Sequence, residues 1–224
     1  MLVVVVVLII MAIVMVYLRG SASTAGSAIS SFNLSESSTS STSSKSPTYG
    51  MQQKICRERQ GVRFLKSHEE LMGAMDCSNP INETVVNRLP NVFTHHNVPT
   101  GSITVISSYM YVKEDVESKW SITELKLWSN AAEIEIDGQI VAAVYFSGDG
   151  KVANYVGNIQ YLANNIYVRV MSSPVHLSKG WHELVIRFQT HSGNYLYLNY
   201  YLKGDGVWYQ YRVGQNSPAI TFYT

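Results

Sequence analysis

Between Trp181 and Val213 apolar residues recur at every second position through three successive runs. Leu184, Ile186 and Phe188 share one side of the first run, and Leu196, Leu198, Tyr200 and Leu202 share one side of the second. The third run is Val207-Trp-Tyr-Gln-Tyr-Arg-Val. A repeat of two is that of a half-buried strand, whereas a helix repeats every 3.6 residues. Short glycine-bearing turns separate the runs, so the pattern predicts two consecutive antiparallel hairpins. A sheet this explicit sets the class of fold for the chain around it.

Upstream, the same alternation continues. Gly101 begins a strand through Ile103-Thr-Val-Ile that extends near Tyr109-Met-Tyr-Val, and Lys113-Glu-Asp turns into a strand from Trp120 to Trp128. Asp137-Gly138 joins Ala131–Ile136 to Gln139–Phe146, a strong hairpin signal. A two-residue turn there pairs Ile136 with Gln139; a three-residue turn pairs Ile134 with Ile140. The second keeps the apolar residues together and is the expected register. Asn154 to Asn165 has no clear assignment, and Ile166-Tyr-Val-Arg-Val is a further strand. Strands at this spacing, with no helical pattern between them, predict an all-β antiparallel sandwich or jelly-roll-like barrel. The 15 Tyr and 4 Trp suit it.

The first half is organised differently. Residues 2–18 are apolar, about 17 positions that span roughly 26 Å as a helix. Residues 1–19 are expected to be a membrane signal-anchor, with a cleaved signal peptide as the alternative. Residues 20–50 are rich in Ser and Thr and too polar to bury a core, so they are expected to be a disordered stalk. Arg19 favours a cytoplasmic domain by the positive-inside tendency, but the stalk and a cysteine pair favour an external one. The expected location is single-pass membrane with residues 51–224 outside the cell, or secreted if the leader is cleaved. Asn33 and Asn82 match the glycosylation acceptor pattern. In the lead-in, residues 51–100, Ser67-His-Glu-Glu is a capping box ahead of Leu71, Met72 and Met75, which predicts one short helix. Cys56 before it and Cys77 after it are expected to form a disulfide.

The order of elements after Gly101 resembles a known family. Gly101-Ser-Ile-Thr-Val is followed by a strand ending in Trp128-Ser-Asn, then Ile134-Glu-Ile-Asp-Gly-Gln-Ile-Val, then Val175-His-Leu-Ser-Lys-Gly-Trp-His-Glu-Leu-Val-Ile-Arg-Phe and Tyr195-Leu-Tyr-Leu-Asn-Tyr-Tyr. Over residues 101–202 this resembles the protective-antigen-type β-sandwich domain of the anthrax toxin component, yeast flocculins and many glycosidases. The resemblance implies a sandwich fold in a setting of surface recognition. Its lectin members hold Ca²⁺ with an adjacent Asp-Asp pair. No such pair occurs in this chain, so the resemblance does not extend to calcium-dependent sugar binding.

Candidate chemistry is sparse. His95-His96 is the tightest histidine cluster, but neighbours on a strand point to opposite faces. His176, His182 and His191 fall at strand ends and turns and are expected to be solvated. Glu133 and Glu135 share one strand face; such a pair can serve a glycosidase, but an exposed polar face is the expectation. Asp137, Asp149 and Asp205 sit in glycine turns, where they serve the turn itself or, together, a Ca²⁺ ion. No nucleophile elbow or phosphate loop is present. The formal net charge of +1 gives no basis for nucleic-acid binding. What remains is aromatic: Tyr195, Tyr197 and Tyr201 share the outward face of one strand and Trp208 projects from the next. They are the expected ligand-binding residues, unless that row serves only to pair across the sheet or is covered by residues 51–100. The expected function is a cell-surface recognition or adhesion module for glycan or a partner protein, with no catalysis. The alternative is a subunit of a surface filament or coat, in which the chain would be a homo-oligomer.

Overall fold

The computed structural model describes residues 48–59, 64–87, 89, 98–126, 131–149, 151–162, 167–190 and 196–224. The predicted leader, most of the stalk, Asn33, His95-His96, Trp128, His191 and Tyr195 lie outside the described residues. No helix among the described residues is long and apolar enough to cross a membrane.

In chain order the elements are β1 (Met51–Glu58), α1 (His68–Ala74), β2 (Met75–Asp76), β3 (Asn82–Val86), β4 (Ser102–Val112), β5 (Val116–Lys126), β6 (Ala132–Ile136) and β7 (Gln139–Phe146). Then follow β8 (Val152–Val156), β9 (Asn158–Leu162), β10 (Tyr167–Met171), β11 (Val175–Leu177), β12 (Gly180–Thr190), β13 (Tyr197–Gly204), β14 (Val207–Arg212) and β15 (Ile220–Tyr223). They form two antiparallel sheets, as the alternation predicts. The first is nine-stranded, ordered β2-β1-β4-β12-β6-β7-β8, with β15 also on β4 and β3 also on β1. The second is six-stranded, ordered β14-β13-β5-β10-β9, with β11 also on β5.

The inner faces share one core. Ile106, Met110, Leu184, Ile186 and Phe188 of the first sheet meet Trp120, Ile122, Leu198, Tyr200 and Leu202 of the second. Trp120 and Tyr200 stack at 5.3 Å between ring centroids. Their polar tips are satisfied: the Trp120 indole donates to Ser118 Oγ and the Tyr200 hydroxyl to the Gln215 carbonyl. Burying both rings is favourable only because those donors keep partners.

The two hairpins expected between Trp181 and Val213 are one hairpin and one crossing. β13 and β14 pair across the Asp205-Gly206 turn, but β12 lies between β4 and β6 in the first sheet while β13 lies between β5 and β14 in the second. Strict alternation reports which face a strand buries, not which strand it pairs with. In a sandwich, two consecutive strands can bury their faces against the same core from opposite sides.

The Asp137-Gly138 register also differs from expectation. Ile136 pairs with Gln139, so the turn has two residues, both with positive φ (50° and 77°), the geometry of a type I′ hairpin. The apolar residues stay together because the register shifts between Ile134 and Glu135, which pair with Ala142 and Ile140. This bulge lets Val141 and Ala142 both reach the main core.

The unassigned stretch after Asn154 makes two strands. β8 closes the first sheet and β9 the second, and Gly157 carries the chain between them at φ 108°.

The lead-in covers part of the first sheet's outer face. Ser67 caps α1 by accepting from the Glu70 amide, as its sequence predicts. Leu65, Leu71 and Ala74 then pack on Ile103, Ala143 and Tyr145 as a second, smaller core. The Cys56–Cys77 disulfide forms, with 4.7 Å between Cα atoms, and ties this segment to β1.

Candidate functional site

Outward-facing residues are where a sandwich can meet a ligand, and the two sheets present different surfaces. On the second sheet Tyr197 and Tyr201 are half-buried, next to Thr123 and Lys119 of β5. Trp208 sits across from Lys203 on the neighbouring strand. The Lys119 ammonium lies 4.4 Å from the centre of the Trp208 ring and that of Lys203 at 6.0 Å. Lys203 also reaches Glu117 at 3.1 Å. The ring face of Trp208 is thus already occupied by cations of its own sheet.

The carboxylate pair is not a solvated face. Glu133 is fully buried beneath α1. One oxygen accepts from Arg187 at 2.8 Å; the other accepts from the Tyr145 hydroxyl at 2.6 Å and lies 3.1 Å from His68 Nδ1. Arg187 bridges to Glu135 at 2.6 Å. The exposed polar face expected at Glu133 and Glu135 is corrected: α1 closes over that end of the sheet, and a buried carboxylate is tolerable because several donors converge on it. Burial, then the hydrogen bond to Glu133, pushes the Tyr145 phenol well above its ordinary range. Burial lowers the Arg187 guanidinium, but the two carboxylates outweigh it and hold it charged.

His182 is not a solvated histidine either. Its Nδ1 lies 2.6 Å from the Asp137 carboxylate and its Nε2 2.8 Å from the Ser178 carbonyl. A carboxylate and a carbonyl both accept, so the pair favours the imidazolium, which has a donor on each ring nitrogen. Burial lowers its pKa, but the Ser178 carbonyl and Asp137 outweigh that and raise it. Asp137 also accepts from the Glu183 amide at 2.8 Å. The Asp137-Gly138 turn and the segment from Ser178 to Glu183 therefore form one hydrogen-bonded corner that docks the β6–β7 turn on β12. The other turn aspartates are apart from it. Asp149 accepts from Ser147 and pairs with Lys151, contacts that hold its carboxyl at about 2. Among the described residues no cluster of three or more His, Cys, Asp or Glu is placed to hold a metal ion.

A second aromatic surface, not expected from the sequence, lies on the first sheet, beyond the part covered by α1. Tyr109 and Tyr111 point outward from β4, opposite in phase to buried Met110 and Val112. Register places Tyr111 between Trp181 and Thr221, and Tyr109 between Glu183 and Tyr223. Tyr49 bridges to Tyr223 and stacks on it at 4.9 Å. Trp181 meets Tyr111 at 5.0 Å and Tyr223 at 5.1 Å, both edge-on. Tyr49, Tyr109 and Trp181 are 59%, 54% and 55% exposed. Beside this ladder is a recess of about 320 Å³, lined by Gln52, Ser107, Tyr109, Glu183 and Thr224 among others. One signal for it was available: Tyr109, Tyr111 and Trp181 occupy the outward phase of two strands whose inward phase is plain. Their meeting depends on register, which the sequence does not display.

Asn82 opens β3 and is exposed, with its acceptor tripeptide along that strand.

No family model matches the chain, and no curated protein matches it in sequence. Among solved structures, the PA14 domain of the MpAFP antifreeze protein superposes with a TM-score of 0.52 at 12% identity, over 84% of this chain and 95% of that one. A PA14 sugar-binding domain from an RTX adhesin gives 0.48 at 11% identity, over 73% and 95%. The A domain of epithelial adhesin 6 from Candida glabrata, solved with Galβ1-3GlcNAc, gives 0.44 at 11% identity, over 80% and 88%. The first of these likenesses shows the fold: the sandwich is of the PA14 kind, as the resemblance implied. The other two are looser.

Proposed function

We propose that this chain is a recognition module of adhesion type, that its ligand is carbohydrate, and that it performs no catalysis. The observation that carries the reading is the ladder of Tyr49, Tyr223, Trp181 and Tyr111, in which Tyr49 and Trp181 are exposed and Tyr111 and Tyr223 half-buried. A sheet face normally turns polar side chains to water; large rings held edge to face in solvent are a contact surface. Tyr and Trp provide area at low entropic cost and stack on the C–H faces of sugars. In the same reading residues 1–19 tether the domain to a membrane and 20–50 hold it away from the surface. Tyr195, Tyr197, Tyr201 and Trp208 are the alternative contact surface, to be told apart from the ladder by substitution.

The test is retention of the full chain on an array of immobilised glycans. Saturable binding supports the reading, and the absence of binding to every glycan sinks it. Protease shaving of intact expressing cells tests the display: release of residues 51–224 is expected, and full protection contradicts an external domain.

A second reading, subunit of a surface filament, is favoured by the edge strands. β8, β9 and β14 leave Tyr155, Val156, Tyr161, Val207 and Tyr209 exposed, and open edges invite pairing between copies. Electron microscopy separates the two: filaments favour it, and monodisperse particles at every concentration count against it.

A further inference from the structure

We infer that the recess beside Tyr109 is a subsite for a neutral sugar residue, with the ladder of Trp181, Tyr223 and Tyr49 as the platform for the units that follow. The inference rests on the recognition reading above and gives that site its ligand class. Three observations converge on it.

The first is shape. The recess, at about 320 Å³, is of the size that takes a small ligand, and it opens on the same face as the rings. Tyr109 lines it and stands directly across from Tyr223, which stacks on Tyr49 and meets Trp181 edge-on. A chain of pyranose rings leaving the recess passes onto those side chains.

The second is preorganisation. Trp181 is wedged between Tyr111 and Tyr223 at about 5 Å from each, although more than half of it is exposed. Little rotamer freedom is left to lose when a ligand lands on it, so the contact area is available at low entropic cost.

The third is charge. The side chains around the recess are neutral apart from that of Glu183, which is exposed. Gln52 donates its amide to Glu83, which leaves its carbonyl oxygen as an acceptor. Lys54, on the same face of β1, is paired with Glu83 at 3.4 Å. Acceptors without cations suit a polyol that donates hydroxyls and repel sialic acid, sulfate and phosphate. An apolar partner would leave the Glu183 carboxylate desolvated without a donor, so it fits less well.

The experiment is calorimetric titration of the full chain with lactose, cellotriose and mannotriose, against sialyllactose and sulfated lactose as matched anionic probes. At least one neutral sugar is expected to bind, and the anionic forms to bind more weakly. Trp181→Ala and Glu183→Gln should each weaken binding about tenfold or more, the scale of a central contact. Tyr197→Ala, on the opposite sheet, should leave it unchanged. Glu183 is exposed and Gln is its isostere, so E183Q keeps the test alive if W181A fails to fold. Preference for the anionic probes overturns the neutral-sugar assignment. Loss of binding in Y197A with full binding in W181A and E183Q overturns the site while leaving glycan recognition standing. No binding to any of these probes overturns the inference too, and failure of the wider glycan array would then remove the recognition reading beneath it.

Discussion

Glu133 and His182 share a logic: each is an ionisable side chain in a strand or turn, and each holds elements together. Glu133 joins α1, β7 and β12 through His68, Tyr145 and Arg187. Removing the carboxylate leaves the buried Tyr145 hydroxyl without its acceptor and the Arg187 guanidinium with Glu135 as its remaining carboxylate. Glu133→Ala should therefore cost about 3–5 kcal/mol in urea unfolding, the scale for breaking a buried charged pair; a cost under about 1 kcal/mol would mean the network contributes nothing net. His182 acts through pH. Its folded pKa lies above the unfolded value, so its contribution is complete below about 6.5. That contribution is lost as pH rises through the raised folded value. Thermal melts of the native chain should decline across that window more steeply than those of Asp137→Asn; parallel curves would remove the imidazolium from the account.

At the scale of elements, two connections are open to test. The disulfide joins residues 21 apart and fastens the α1 segment to β1. Replacing both cysteines with serine should cost about 3 kcal/mol, from the freed loop entropy of the unfolded chain, and hydrogen exchange should quicken first around α1. Gly157 is the second. A Cβ there would lie 2.5 Å from the Met171 carbonyl oxygen, at a φ few other residues adopt. Gly138 also has a positive φ, but a Cβ there meets nothing within 4 Å. Gly157→Ala should thus cost more than about 2 kcal/mol, against about 1 kcal/mol for Gly138→Ala; equal costs in denaturant unfolding would contradict the close approach.

The same elements show how far the sequence could be read. Alternation exposed the inward phases of β4, β12 and β13, because burial acts on single residues. Ser67 marked α1 because capping is local. Pairing is not local. Nothing in Leu184–Phe188 or Leu196–Leu202 says that the strands belong to opposite sheets, since both bury the same face in one core. The bulge at Val141 was hidden for a related reason: it restores the apolar phase that a two-residue turn alone would lose. The site follows suit. Tyr197 and Tyr201 were legible as outward tyrosines, because they share one strand. The ladder of Tyr49, Tyr111, Trp181 and Tyr223 draws on separate strands and needs their register. Glu133 looked like a surface residue because the helix that covers it lies more than fifty positions earlier in the chain.

On the scale of the whole described unit, the sandwich divides its outer surface by use. The lower part of the first sheet is sealed by α1 over a small second core, and the upper part stays open with its rings in solvent. On the second sheet, lysines and a glutamate engage the aromatic face. The fold is that of a PA14 domain, but the surface proposed for recognition is a sheet face and not an Asp-Asp loop, which this chain lacks. Three of its four tryptophans report on separate regions. Trp181 stands on the ladder, Trp208 on the opposite sheet and Trp120 in the core. Their indole N–H signals can therefore be followed in one ¹⁵N-resolved spectrum while lactose, cellotriose and mannotriose are each titrated into the full chain. With at least one of these sugars the Trp181 signal is expected to move in a saturable way, with Trp208 and Trp120 still. Movement of Trp208 with a stationary Trp181 would contradict the ladder as the binding surface.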